Sequence, residues 1–151
     1  MNVELFVELV VTDNTAVTAL ATLHNQGFKE VKKLKRYDYY CFDVRKDDDL
    51  FSQLTKVDIL VNAHKNRASK TISLEKDQAM IIVKDLENPG KGMLHTLTHR
   101  LGFQGINDVV KGIAWVARVE GNKKIVAKKI TEQLLMNEHF QEAEYRFSAE
   151  R

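Results

Sequence analysis

The chain repeats itself at a spacing of 75 residues. Shifting the sequence by that distance places Gly27-Phe28 on Gly102-Phe103 and His24 on His99. Residues 24–68 then align with residues 99–143 without a gap, with eight identities in 45 positions. A constant spacing this long indicates one supersecondary unit used twice. The chain must therefore fold so that two similar units lie against each other.

Residue classes also stay in step between the two copies, as in the pairs Val31 and Ile106, Leu34 and Val109, Tyr40 and Trp115, and Val44 and Val119. Each copy has about 75 residues, which is near the lower limit for burying a stable core, so we expect a shared core. We predict two repeats, residues 1–75 and 76–151. The linker, residues 75–78, has no Pro, Gly or Ser run, which predicts that the repeats are rigidly apposed.

The composition is typical of a soluble globular protein, with 44% apolar and 29% charged residues. A net charge of +2 argues against a dedicated nucleic-acid binder, whose affinity depends on clustered cations. No apolar run approaches the roughly 20 residues of a membrane helix. Glu4 and Glu8 occupy the place of the basic start of a secretory signal. Because Cys41 is the only cysteine, no internal disulfide can form, and we expect a cytoplasmic protein.

The two copies contain the same order of predicted elements. Strands are predicted over residues 3–11, 31–45 and 68–74, and again over 80–83, 106–119 and 145–147. Residues 31–45 form either one bent strand or a hairpin that turns near residues 36–38. Helices are predicted to begin at Thr12-Asp13-Asn14, which offers N-cap oxygens, at Asp47-Asp48-Asp49, at Asn88-Pro89 and after the turn Gly121-Asn122. The core-facing positions expected in these helices are Ala16, Leu20 and Leu23; Leu50, Leu54, Val57 and Val61; Met93, Leu97 and Leu101; and Val126, Ile130 and Leu134.

The order β-α-β-(β)-α-β in each copy is that of a ferredoxin-like sandwich, in which two helices cover one face of a mostly antiparallel sheet. We therefore predict an α+β protein built from two ferredoxin-like repeats that form a pseudo-dimer. The two sheets are expected to meet edge to edge or face to face. The sheet face without helices must also be covered, and we expect the other repeat to cover it.

The sequence contains no recognisable catalytic set. It has neither a phosphate-binding loop of the Gly-x-x-x-x-Gly-Lys type nor a dinucleotide-binding glycine pattern. Cys41 lies within a predicted strand, without a helix N-terminus to lower its pKa, and we interpret it as a structural thiol. We expect no catalytic residue and no cofactor.

The duplicated histidines are the candidate metal ligands. If both helices of a copy end at one sheet edge, His24 could approach His64, and His99 could approach His139. Two imidazoles are too few for zinc, which takes at least three protein ligands. We therefore favour a capping role near helix C-termini and predict no metal site.

Residues 111–118 partly match the octamer with which RNA-recognition domains stack bases on an open sheet. Two of the three aromatic positions hold Ile113 and Arg118, which leaves Trp115 alone. Residues 36–42 of the first copy are richer in rings. Aromatic residues that alternate along a strand are more often core or interface residues, so RNA binding is the weaker interpretation.

A family resemblance covers nearly the whole chain, twice. The stretch from Thr98 to Phe103, followed by Ile106, Val109 and Gly112, resembles the pattern Ala-Leu-His-x-Leu-Gly-Phe-x-x-Val-x-x-Val-Arg-x-Gly-Lys of the PurS family. Residues 132–137 and Tyr145 resemble the closing part of that family's sequence. The first copy keeps a weaker version in residues 23–28, 31–35 and 60–62. PurS is the small subunit of phosphoribosylformylglycinamidine synthase in purine biosynthesis.

The resemblance implies a non-catalytic subunit that bridges the ATP-dependent synthetase and the glutaminase, so that ammonia passes between them. It also implies a ferredoxin-like fold that dimerises, here within one chain, although further homo-oligomers remain open. The expected partner or inter-repeat contacts are Tyr39, Tyr40, Asn62, Trp115, Asn137 and Tyr145. The expected structural motif residues are Gly27, Phe28, Gly102, Phe103 and Gly112. Two alternatives stay open: a ferredoxin-like regulatory protein that binds a small molecule between the repeats, and an RNA-binding module.

Overall fold

The computed structural model describes residues 2–45, 50–87 and 90–148. Its strands are β1 (Asn2–Leu9), β2 (Val31–Val44), β3 (Asn66–Ser69), β4 (Gln78–Asp85), β5 (Ile106–Val119) and β6 (Gln141–Phe147). Its helices are α1 (Asn14–Asn25), α2 (Leu50–Leu54), α3 (Lys91–His95) and α4 (Lys123–Ile130). A π-helical turn follows α3 (Thr96–Arg100), and another follows α4 (Thr131–Leu135). None of the helices in these ranges is long and apolar enough to cross a membrane.

All six strands form one antiparallel sheet in the order β3-β1-β2-β5-β4-β6. The strands of residues 1–75 therefore lie on one side of the sheet and those of residues 76–151 on the other. The two sides join where β2 pairs with β5, from Val31 opposite Val119 to Val44 opposite Ile106. Of the two predicted arrangements, edge-to-edge pairing is observed, and it produces one continuous sheet.

Strand β2 is a single strand of 14 residues, so of the two alternatives for residues 31–45 the single strand is observed and the hairpin near residues 36–38 is not. Because β2 does not fold back, each half contributes three strands rather than four, and the optional strand of the predicted unit is absent from the described residues. Strand β3 ends at Ser69, earlier than predicted. The chain that follows it crosses the sheet instead of extending it.

Helix α1 begins and ends as the sequence predicts. The Asp13 side chain accepts hydrogen bonds from the backbone N–H groups of Thr15 at 3.1 Å and Ala16 at 3.3 Å. This satisfies donors that have no partner inside the first turn. Gly27, with φ 99°, ends the helix in the left-handed conformation that favours glycine. Ala16 and Leu23 face the core.

The later helices differ from the prediction. Helix α2 ends at Leu54, and turns carry the chain to Leu60 and Val61, which are nevertheless buried. The β-branched residues between them disfavour helix. Leu101 and Leu134, expected in the core, are 49% and 37% exposed. Leu101 follows one π-helical turn and Leu134 lies within the other, and the extra residue of such a turn rotates side chains away from the sheet. The predicted caps Asp47-Asp48-Asp49 and Asn88-Pro89 lie outside the described residues.

The helices cover one face of the sheet in two clusters, and each cluster contains residues of both halves. The cluster around β1 includes Leu97, from the π-helical turn after α3. The cluster around β4 includes Ala16 and Leu23, from α1. The first helix of each half therefore packs into the core of the other half. As the length of the repeats predicts, they share a core.

The helix-free face of the sheet is covered by the curl of the sheet, not by a second repeat stacked upon it. Glu4 on β1 and Arg146 on β6 form a two-point ion pair, with N–O distances of 2.9 and 2.6 Å. Three strands lie between them, so a flat sheet would hold their backbones roughly 19 Å apart at about 4.8 Å per strand. The sheet must therefore curl, with its helix-free face on the inside.

This concave face has its own apolar core. Its buried members are Phe6, Tyr37, Tyr39, Met80, Ile82, Ala114 and Val116. Ile72 and Leu74, from the segment that connects β3 to β4, pack against them. The curl and this connecting segment explain why residues on the helix-free face are buried without a helix above them.

Gly112 allows β4 and β5 to approach closely. A Cβ atom at this position would lie 2.3 Å from the carbonyl oxygen of Val83. We predict that Gly112→Ala lowers the free energy of unfolding by about 1–3 kcal/mol, the usual cost of overpacking. Gly92→Ala is the matched control, since a Cβ on that α3 residue meets nothing within 4 Å and alanine favours helix. Chemical denaturation of both variants measures the effect, and equal stability would contradict this account of Gly112.

Candidate functional site

A cleft opens on the helix side of the sheet where the two halves join. Its volume is about 210 Å³. The lining residues come from β2, β4, β5 and the chain around β6: Asp38, Tyr40, Val83, Asp85, Lys111, Gly112, Ile113, Trp115, Leu135 and Gln141. We call this the junction cleft. It brings together three residues singled out by the sequence, namely Tyr40, Gly112 and Trp115.

Tyr40 and Trp115 lie 75 residues apart in sequence and line the same cleft. They are 8% and 6% exposed, respectively. Neither the Tyr40 hydroxyl nor the Trp115 indole N–H makes a hydrogen bond to any residue that the structure describes. Burial raises the pKa of the Tyr40 hydroxyl, and the nearby Asp38 carboxylate raises it further. Both rings therefore present to the cleft polar atoms that have no partner among the described residues.

Trp115 and Leu135 also line a second cavity of about 500 Å³, whose other wall is the face of α1 from Asn14 to Thr22. The two cavities adjoin along these shared side chains. Trp115 is thus positioned between the sheet and α1, on the helix-covered face. Little of its ring is available for base stacking.

The rim of the junction cleft carries charges of both signs. In the β2–β5 register Asp38 lies opposite Ile113, and Lys111 lies opposite Tyr40. Asp38 and Lys111 are consequently diagonal neighbours on one face of the sheet. Both are exposed along part of their length, and neither forms an ion pair with a described residue. Desolvation raises the pKa of Asp38, although the cations of Arg36 and Lys111 oppose that rise.

Tyr39 lies on the other side of the sheet, in the concave core, and is 1% exposed. Its hydroxyl donates to Glu4 at 2.5 Å. Burial raises the pKa of Tyr39, and the hydrogen bond to Glu4 adds to the rise. Cys41, on the same face, has its pKa raised chiefly by burial. A thiol with a raised pKa is a poor nucleophile, which agrees with a structural role.

Asn62 and Asn137 begin two turns with the same hydrogen bonds. The Asn62 side chain accepts from the N–H of His64 at 3.0 Å, and that of Asn137 accepts from His139 at 3.2 Å. The carbonyl oxygen of each asparagine also accepts from the N–H four residues later, at 2.8 Å in both turns. Both asparagines are exposed.

The glycine-phenylalanine pairs end corresponding helical segments. Gly102, with φ 71°, has the left-handed conformation already seen at Gly27. The N–H of Phe28 donates to Leu23, and that of Phe103 to Leu97, at 2.9 Å in both cases. Each phenylalanine packs against the helix-side cluster of the opposite half, and Tyr145 of β6 packs against the cluster around β4.

The structure gives the histidines different partners. The Nε2–H of His24 donates to the carbonyl oxygen of Val31 at 2.6 Å, whereas His99 stacks on His95 with ring centroids 4.6 Å apart. His24 and His99 align in sequence but have different contacts, because His99 lies in the π-helical turn before Leu101. Within the described ranges no group of three or more His, Cys, Asp or Glu side chains could hold a metal ion.

These residues can bind but have no arrangement suited to covalent chemistry among the side chains described. The junction cleft offers an apolar wall, two hydrogen-bonding rings and a rim of mixed charge. Sequence reasoning found Tyr40 and Trp115 through the repeat. It missed Asp38 and Lys111, because their proximity depends on the β2–β5 register.

In comparisons with known proteins, no family model matches the chain, and no curated sequence matches it.

Glu4 should make stability depend on pH. Burial alone would raise its pKa, but hydrogen bonds from Arg146 and Tyr39 hold it below the ordinary value of 4.5. A carboxyl group with a lowered folded-state pKa stabilises the protein above its unfolded pKa and loses that contribution as the pH falls through the folded-state value. We predict that Glu4→Gln destabilises by about 1–3 kcal/mol at pH 7.

The difference from the unmodified protein should shrink below pH 4.5. Urea denaturation from pH 7 to pH 3 measures it. Glu142→Gln on β6 is the control, since Glu142 is exposed and has no bonded partner among the described side chains. A difference that stays constant with pH would show that the Glu4 charge is not responsible.

Proposed function

We propose that this chain is a non-catalytic, PurS-like subunit that holds a synthetase and a glutaminase together for ammonia transfer in cytoplasmic purine biosynthesis. In this proposal residues 1–75 and 76–151 are two ferredoxin-like repeats that form a pseudo-dimer inside one chain. Whether the chain also self-associates is tested by the co-elution measurement described below. The observation that carries the proposal is the register of the central strand pair.

That register has the symmetry of a dimer. Asp38 lies opposite Ile113, its own equivalent at the 75-residue spacing. The pair Arg36–Trp115 and the pair Tyr40–Lys111 lie at equal distances on either side, and the repeat exchanges one for the other. A two-fold axis between identical strands produces this exchange, since an isologous interface uses the same surface twice. The matched turns at Asn62 and Asn137 also support duplication.

The proposed partner surface lies beside those two turns. Ile59 and Leu134 occupy equivalent positions in the repeat and are 53% and 37% exposed. In this proposal the partner proteins cover these two apolar side chains. The central strands of the sheet pair with each other, which leaves surfaces at the periphery of the molecule for contacts with other proteins.

Co-elution tests the proposal directly. We expect the chain to elute with the synthetase and glutaminase at low micromolar concentration when glutamine and ADP are present. Glutamine-dependent activity should fall when the chain is omitted, whereas ammonia-dependent activity should not. If the proteins elute separately and glutamine-dependent activity is unchanged, the proposal is wrong.

The partner surface has a matched pair of variants. Ile59→Asp should weaken co-elution at least about tenfold, because it places a charge in an apolar contact. Ile125→Asp on α4 is the control, since Ile125 is also 53% exposed but lies away from both turns. Thermal unfolding should be the same for both variants. Equal loss of co-elution would remove the Asn62 turn from the interface.

A second candidate function is a regulatory protein that binds a small molecule between the repeats. The junction cleft favours it, because the cleft lies on the proposed two-fold axis and is lined by both halves. The two functions are compatible in one protein.

A further inference from the structure

We propose that the junction cleft binds a free α-amino acid with an apolar side chain. The ammonium group would contact Asp38, the carboxylate would contact Lys111, and the side chain would lie between Tyr40 and Trp115. This inference deepens the regulatory candidate and does not depend on the assembly role.

The shape of the cleft suits a small metabolite. Its volume of about 210 Å³ lies below the roughly 300–1,000 Å³ typical of sites for drug-sized ligands. Val83, Ile113 and Leu135 provide an apolar wall. The adjoining cavity beside α1 gives a longer side chain room to extend past Trp115.

Two largely buried side chains of the cleft carry polar atoms that have no partner among the described residues. The indole N–H of Trp115 and the hydroxyl of Tyr40 belong to side chains more than nine-tenths buried, and neither bonds to a described residue. Neither polar atom is sealed from solvent, so a ligand in the cleft can reach it and offer a hydrogen-bond acceptor.

The charges on the rim select a zwitterion. Diagonal neighbours across an antiparallel pair have Cβ atoms about 7–8 Å apart, so the long side chain of Lys111 and the short one of Asp38 can bracket one small polar head. A purely anionic ligand would face the carboxylates of Asp38 and Asp85, and a purely cationic one would face Lys111. A molecule with one charge of each sign satisfies both sides.

Trp115 makes the site directly observable, because it is the only tryptophan of the chain. Titration of the isolated chain with L-leucine, L-methionine or L-phenylalanine should change its intrinsic fluorescence saturably, with a Kd of about 1 mM or tighter for at least one of them. Isothermal titration calorimetry should give the same Kd. N-acetyl-L-leucine amide, which has the same side chain without either charge, should bind at least about tenfold more weakly.

Variants of the two charged residues assign the contacts. Asp38→Asn and Lys111→Gln should each raise the Kd at least about tenfold while leaving thermal unfolding unchanged, since both side chains are exposed at the rim. Asp58→Asn and Lys33→Gln are the matched controls. Asp58 and Lys33 are exposed and lie outside the cleft lining, and these variants should bind normally.

Three outcomes would overturn the inference. The first is a linear, non-saturating change of fluorescence with all three amino acids. The second is binding of the uncharged amide as tight as that of L-leucine, and the third is binding by the two cleft variants that matches the controls. Each result is obtained without the synthetase or glutaminase. A negative result here therefore leaves the co-elution test intact, and failed co-elution leaves this binding test intact.

Discussion

The pairing of β2 with β5 is the interaction on which the rest of the structure depends. It joins the two halves into one sheet over the full length of two 14-residue strands. It also fixes the positions of the helices, because α1 packs into the cluster around β4 and the turn after α3 packs into the cluster around β1. The junction cleft lies on this pair, with one ring from each strand. A shift of one residue in the register would place Tyr40 and Trp115 on opposite faces of the sheet.

The curl of the sheet buries an apolar face that a flat sheet would leave exposed. If the sheet were flat, its helix-free face would expose Phe6, Tyr39 and Met80 to water. Because the sheet is curled, these residues are buried, and Glu4 meets Arg146 across three intervening strands. Burial of the apolar residues supplies most of the driving force, because it removes far more surface from water than one partly exposed ion pair does. The ion pair sets how tightly the sheet closes.

Local features were predictable, and long-range ones were not. The Asp13 cap, the left-handed Gly27 and the strand at residues 31–44 follow from the chemistry of a few neighbouring residues. The π-helical turns were not predictable in this way, because they depend on packing that the helical spacing of Leu97 and Leu101 does not indicate. For the site, the repeat indicated Tyr40 and Trp115. The rim charges and the curl required the strand register, which no local pattern contains.

The order of synthesis gives the central strand pair a further consequence. Strand β2 leaves the ribosome long before its partner β5 exists, so the backbone donors and acceptors on the edge that will meet β5 must wait unpaired. A nascent strand in that state can pair with the same strand of a neighbouring chain. Residues 32–36 contain Lys32, Lys33, Lys35 and Arg36. Two such segments repel each other, so this run of cations protects the growing chain from aggregation until its own second half arrives.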